Sequence, residues 1–170
     1  METSQSVVEL VAAAQTKAKP IEDRVAELVQ PTSGQNGTQA RMAELSDAIS
    51  ALEAAAVDIF TLFEARMQHH FKRGPFSRKL KAQLLAADKT DLADRFHQYY
   101  LAINVLKHGK GASYRELLAS PPTLFSLKTA DALASEEAQE TARLIDISAP
   151  GFFDGLTTTI LDAYRFLEKA

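Results

Sequence analysis

The 170-residue chain has no cysteine and no tryptophan, only 7 glycines and 6 prolines, and no long apolar run. Without cysteine there are no disulfides, no thiolate nucleophile and no cysteine-ligated zinc or iron–sulfur centre, and a reducing cytoplasmic location is expected. Scarce glycine and proline, with 46% hydrophobic and 24% charged residues, exclude collagen-like and low-complexity chains and indicate a folded globular domain. The longest apolar stretches, Ala54 to Val57 and Tyr99 to Ile103, fall far short of the roughly 18 residues a membrane helix needs, so no membrane association is expected. The opening Met1-Glu2-Thr3-Ser4-Gln5 has no basic start leading into an apolar run, and no secretory leader is expected. A glycine-rich phosphate loop and a Gly-x-Ser-x-Gly turn are both missing, which removes P-loop nucleotide hydrolysis and serine hydrolysis.

What is present is helical periodicity. Met42, Leu45, Ile49, Leu52, Ala56, Ile59, Phe63 and Met67 recur at steps of three and four, with no Gly or Pro between residues 38 and 72. This pattern predicts a central helix of about 35 residues, spanning about 52 Å by its rise per residue. Leu92, Phe96, Tyr99, Tyr100, Ile103 and Leu106 mark a second core helix over 90–108, stopped by Gly109 in a left-handed cap. Phe152, Phe153, Leu156, Ile160, Tyr164 and Leu167 mark a third, over 150–168. Two modest helices are predicted within residues 1–30, split at Pro20, and shorter ones over 77–87 and 113–118. Leu124 to Lys128 and Leu144 to Ile147 read as the strands of a small two-stranded ribbon. The fold class is therefore all-α, an antiparallel helical bundle with a long central helix. It is divided into an N-terminal helical arm (1–30), a flexible linker rich in Gly, Ser, Asn and Gln (31–37) and a bundle domain (38–170). The central helix exceeds the roughly 40 Å width of a compact chain this size, so its stripe needs cover, from a second copy in a homo-oligomer or from the arm.

Charge is distributed in blocks. Residues 1–65 hold 4 Lys/Arg against 10 Asp/Glu, residues 66–110 hold 10 against 3, and residues 111–170 hold 5 against 9. All four histidines, His69, His70, His97 and His108, lie in the basic block. Such a block suits an anionic partner such as RNA or another polyanion, because neutralising phosphates releases counterions. The competing reading is that it pairs with the acidic flanks inside the fold.

The helix over 90–108 carries the chemistry. His97 and Asn104 are about 20° short of two turns apart, and His97 and His108 about 20° past three turns, so the three share one stripe. Histidine exchanges a proton near neutral pH, and asparagine both donates and accepts. Arg95, Lys107 and Lys110 are the cations expected to flank these residues in a solvent-facing groove, with Ile103 and Tyr99 turned to the core. Tyr99 and Tyr100 are read as core aromatics or, alternatively, as platforms for bases.

The segment Ile103-Asn104-Val105-Leu106-Lys107-His108-Gly109 resembles the signature region of HEPN-type helical proteins, in which an Arg followed by a polar residue precedes a His by four to six intervening residues. Asn104 and His108 match the polar and His positions, and Ile103 stands where the Arg is expected. The resemblance implies an up-down helical bundle, commonly dimeric, whose members include metal-independent ribonucleases of stress and defence systems and non-catalytic relatives. Without the Arg, the expectation is a non-catalytic protein that binds RNA or a protein partner. The alternatives are a ribonuclease with His108 and Asn104 as its catalytic residues, its cation coming from Arg95, Lys107 or a second subunit, and a structural interaction module. Asp94 and His97 stand at i and i+3, and Glu64 with His69 or His70 could face them, yet no Glu-x-x-His pair occurs, so neither a metal nor a cofactor is expected.

Overall fold

A computed structural model of the chain describes residues 6–30, 38–71, 73–127, 143–149 and 151–169. The linker expected over 31–37 and the acidic, alanine-rich stretch before Arg143 lie outside the described residues. Helix α1 (Val7–Val29) is followed by α2 (Thr38–Met67), a 3-10 turn (Gln68–His70), α3 (Phe76–Ala86), α4 (Thr90–His108) and α5 (Ala112–Ala119). The strands β1 (Ser126–Leu127) and β2 (Ile145–Asp146) come next, and α6 (Phe152–Lys169) ends the chain. The architecture is the expected all-α bundle. The ribbon is antiparallel, with Ser126 opposite Asp146 and Leu127 opposite Ile145.

Helix α1 starts at a reciprocal cap: the Ser6 hydroxyl accepts from the Glu9 N–H at 3.2 Å, and the Glu9 carboxylate accepts from the Ser6 N–H at 2.8 Å. Against expectation it is one helix, running through Pro20. Proline removes one backbone donor, the partner of the Thr16 carbonyl, but Thr16 and Pro20 are both exposed, so the missing bond falls on the solvent side of the helix rather than in the core. The expected arm is also packed into the bundle, since Val7, Val11 and Ala18 belong to the common core. Arg41 of α2 donates to the carbonyls of Glu27 at 2.8 Å and Leu28 at 3.2 Å, closing the end of α1.

The cover that α2 needs therefore comes largely from α1, within one chain. Leu52, Ala56, Ile59, Phe63 and Met67 are buried as their spacing requires, whereas Met42 near the start of α2 stays exposed. Helix α4 occupies the middle and touches α2, α3, α5 and α6. Its Phe96 stacks on Phe60 of α2 at 5.7 Å between ring centroids, and Phe76 of α3 meets Phe63 edge-on at 5.5 Å.

Two polar anchors fix the chain between α5 and α6. The buried Gln98 side chain donates to Asp94 at 2.8 Å and Thr123 at 3.2 Å, and its carbonyl accepts from the Thr123 and Leu124 N–H groups at 2.9 and 3.2 Å. All of its hydrogen-bonding groups are thereby engaged, as burial demands. Arg143, beside β2, is paired with Glu53 of α2 and donates to Ser46 and Ser50.

Candidate functional site

Of the α4 stripe, His97 lines a cleft between α3, α4 and α5, whereas Asn104 and His108 lie outside its walls. The cleft has a volume of about 460 Å³, and Ser77, Arg78, Lys81, His97, Tyr100 and Glu116 are among its walls. Its position follows from local sequence. Gly74 takes φ 88°, a left-handed backbone that glycine tolerates, and turns the chain out of the 3-10 segment. Pro75 follows at the N-cap with φ −64° and restarts the helix. On the far side, Gly109 takes φ 71° and ψ −137°, a region confined to glycine, so the expected positive φ is present in a more extended form than a left-handed helical cap. Its N–H closes α4 on the Val105 carbonyl at 2.8 Å, and α5 then folds back along α4.

Two of the sequence-derived site residues line this α4–α5 seam. His97 is half-buried, bonds Glu116 of α5 at 2.9 Å through Nε2, and lies nearly parallel to the Tyr100 ring at 6.2 Å. Asn104, two turns on, is half-buried and donates to the Ser113 hydroxyl at 3.1 Å. Tyr99 and Ile103 face the core, 3% and 1% exposed, as the helical geometry requires. His108, Lys107 and Lys110 are exposed at the far end of the helix and its following turn.

Arg95 departs from the expected groove. It lies two residues before His97, about 200° around the helix, and so points to another side of α4. There it donates to Asp91 at 3.0 Å, to Asp162 of α6 at 3.3 Å and to the buried Thr159 hydroxyl at 3.2 Å. It lines a separate hollow of about 650 Å³ with Leu92, Asp162, Arg165 and Phe166. Asp94, considered with His97 as a metal pair, instead accepts from Gln98. Among the described residues no group of three His, Asp or Glu side chains is placed to hold a metal ion.

Cations near the α3 end of the cleft are mostly unneutralised. Arg78 is exposed and Lys81 half-buried, and neither forms an ion pair or side-chain hydrogen bond among the described residues. Of the basic block, Arg95 reaches the acidic C-terminal third through Asp162, and His97 does so through Glu116. Glu116 is the one carboxylate among the described residues of the cleft wall, and it is hydrogen-bonded to His97. Of the N-terminal acids, Asp23 pairs with Lys19, and Glu27 and Glu44 pair with Arg24, while Glu53 pairs with Arg143 and Glu64 feels the charge of Lys107.

The clearest titration shifts lie outside the cleft. Burial pushes the Glu64 carboxyl up, against the pull of Lys107, and pushes Glu53 up, against Arg143. Tyr99 is also raised by burial, offset in part by Arg95. The sequence reading missed Ser77, which sits among cations in a segment read only as a short helix. It also missed Glu116, whose partner lies 19 residues away.

Comparison with models of protein families, with curated proteins and with solved structures finds no match. No helix among the described residues is long and apolar enough to cross a membrane.

Proposed function

We propose that this chain is a HEPN-like, non-catalytic RNA-binding protein whose RNA-facing surface is the cleft of α3, α4 and α5. The observation that carries the reading is that Arg78 and Lys81 stand without acidic partners beside the stacked His97 and Tyr100. Cations of this kind gain by neutralising phosphates, and half-buried aromatic rings in the same cleft suit an unpaired base. The non-catalytic reading is preferred because Ile103 replaces the expected Arg, and Arg95, one substitute cation, is held by Asp91 and Asp162 on another face.

A fluorescence-anisotropy salt series with labelled single-stranded RNA tests this. Wild-type affinity falls as salt rises, and Arg78→Gln with Lys81→Gln weakens binding at least about tenfold and flattens the log–log salt slope by about 1.4, for two lost phosphate contacts. Both positions lie at the cleft rather than in the core, so thermal stability stays near wild type. RNA left unbound at every salt concentration overturns the reading and points to a protein partner. Release of shortened RNA products, lost in His108→Ala, establishes the ribonuclease alternative instead.

A further inference from the structure

We infer that Glu116 makes this cleft selective for guanine, its carboxylate accepting from the N1–H and N2–H groups on the Watson–Crick edge of an unpaired guanine base. The inference rests on the RNA-binding reading for the polymer that carries the base, whereas the preference for guanine follows from the cleft itself.

Glu116 is the odd member of its wall, a carboxylate in the company of Arg78, Lys81 and His97. It repels a phosphate, so a ligand group that settles against it presents donors and not negative oxygens. Nor is the carboxylate used up inside the protein. Its hydrogen bond with His97 Nε2, at 2.9 Å, engages Oε2, while Oε1 has no partner among the described residues and the side chain is 52% exposed. Each carboxylate oxygen accepts along two directions, so Oε2 also keeps room for a second donor.

The chemistry of the bases then narrows the ligand. Guanine sets two donors side by side on its Watson–Crick edge, N1–H and N2–H. Adenine and cytosine each set an amino donor beside a ring-nitrogen acceptor, and uracil sets one N–H between two carbonyls. Against these three a carboxylate meets one donor and an opposing lone pair, whereas against guanine it meets two donors, in the paired geometry that a guanidinium offers to carboxylates. The rings favour a base at this place. His97, which holds Glu116, lies nearly parallel to Tyr100 at 6.2 Å, so aromatic surface and the acceptor pair share one cleft. Unpaired bases are recognised by such a combination of stacking and edge bonding, and Arg78 and Lys81 remain for the phosphates.

The test uses the full chain and short oligouridine RNAs that differ in one central base, guanine, adenine or hypoxanthine, the last being guanine without its N2 amino group. Fluorescence anisotropy is expected to show the guanine RNA bound about tenfold more tightly than the adenine RNA, with the hypoxanthine RNA between them. Glu116→Gln keeps the side-chain shape and an acceptor for His97 but turns an amide N–H toward the base donors. It should bring guanine binding to the adenine level while adenine binding stays within about twofold of wild type. Arg78→Gln should weaken all three RNAs by a common factor, so the guanine-to-adenine ratio separates base recognition from phosphate binding. The hypoxanthine comparison on wild type keeps the test decisive if Glu116→Gln lowers the melting temperature. Guanosine and adenosine monophosphate, followed by thermal unfolding, are the probes that need no RNA. Equal binding of the three RNAs, or a guanine preference that survives Glu116→Gln, overturns the inference and leaves the RNA reading standing. No RNA binding at any salt concentration, with a melting-temperature gain in guanosine over adenosine monophosphate that Glu116→Gln abolishes, supports the guanine site for a free nucleotide and overturns the RNA reading. Absence of both responses overturns both.

Discussion

Helix α4 presents two polar faces that differ in what their charges do. Toward α6, Arg95 is engaged by Asp91, Asp162 and Thr159, and Tyr99 is packed tightly against Gly155. Toward α3 and α5, Arg78 and Lys81 are left without acidic partners, and the Ser77 hydroxyl is left without a bond. Both faces draw on the same basic block of sequence. A cation already hydrogen-bonded on three sides stabilises the fold and has little left for a ligand, whereas an unpaired one near a concave surface is available to an anion. Basic composition therefore identifies a binding surface only after the internal pairs are subtracted.

The largest effect that sharpens this contrast comes from the packed face. A Cβ at Gly155 would lie 2.1 Å from the Tyr99 Oη. Gly155→Ala is thus expected to destabilise the protein by about 1–3 kcal/mol, although alanine in an open helix site would add about 1 kcal/mol. Tyr99→Phe in the same chain should recover most of that loss, because the hydroxyl is the atom in the way, and a double-mutant cycle by urea unfolding measures the recovery. Arg95→Met comes next. It strands the buried Thr159 hydroxyl and leaves the part-exposed Asp162 with Arg165 alone, and is expected to cost about 1–2 kcal/mol, reduced by the exposure of Asp91, while RNA affinity changes less than about twofold. A large loss of RNA binding in a still-folded Arg95→Met protein would erase the distinction between the faces.

The smallest effect is in the pH dependence. Glu64 is held above its ordinary value of 4.5 by burial, so the folded state binds its proton more tightly than the unfolded chain does. Its contribution to stability is then greatest below 4.5, declines as pH rises through the interval up to the raised folded value, and is flat above it. Glu64→Gln should remove that decline from urea midpoints measured across the interval. An unchanged pH profile would contradict the upward shift, and a rise in stability over the same interval that Glu64→Gln removes would show Lys107 outweighing burial.

Much of the bundle was legible because burial repeats with the helix. The stripes of α2, α4 and α6 were read within a few residues, and the short apolar segments around 124–147 did pair as a ribbon. Pro20 was misread as a boundary because a proline signals a break without showing which side of the helix faces water. The candidate site was only half visible. His97 and Asn104 were placed on one stripe by angle alone, and the same arithmetic separates Arg95 from them by about 200°. The partners that decide each residue's role could not be read, because they are distant in sequence: Glu116 for His97, Asp162 for Arg95, Gly155 for Tyr99. Ser77 carries no sequence signal at all, since an unbonded hydroxyl is defined by what does not surround it.

The most direct measurement is the site of photocrosslinking to single-stranded RNA that carries 4-thiouridine, mapped by peptide mass spectrometry. Crosslinks on α3 and on the His97–Tyr100 segment of α4, lost on addition of unlabelled RNA and in the Arg78→Gln, Lys81→Gln protein, are the expected result. Crosslinks concentrated instead in the hollow of Leu92, Arg95 and Phe166, or none above background, would contradict the account.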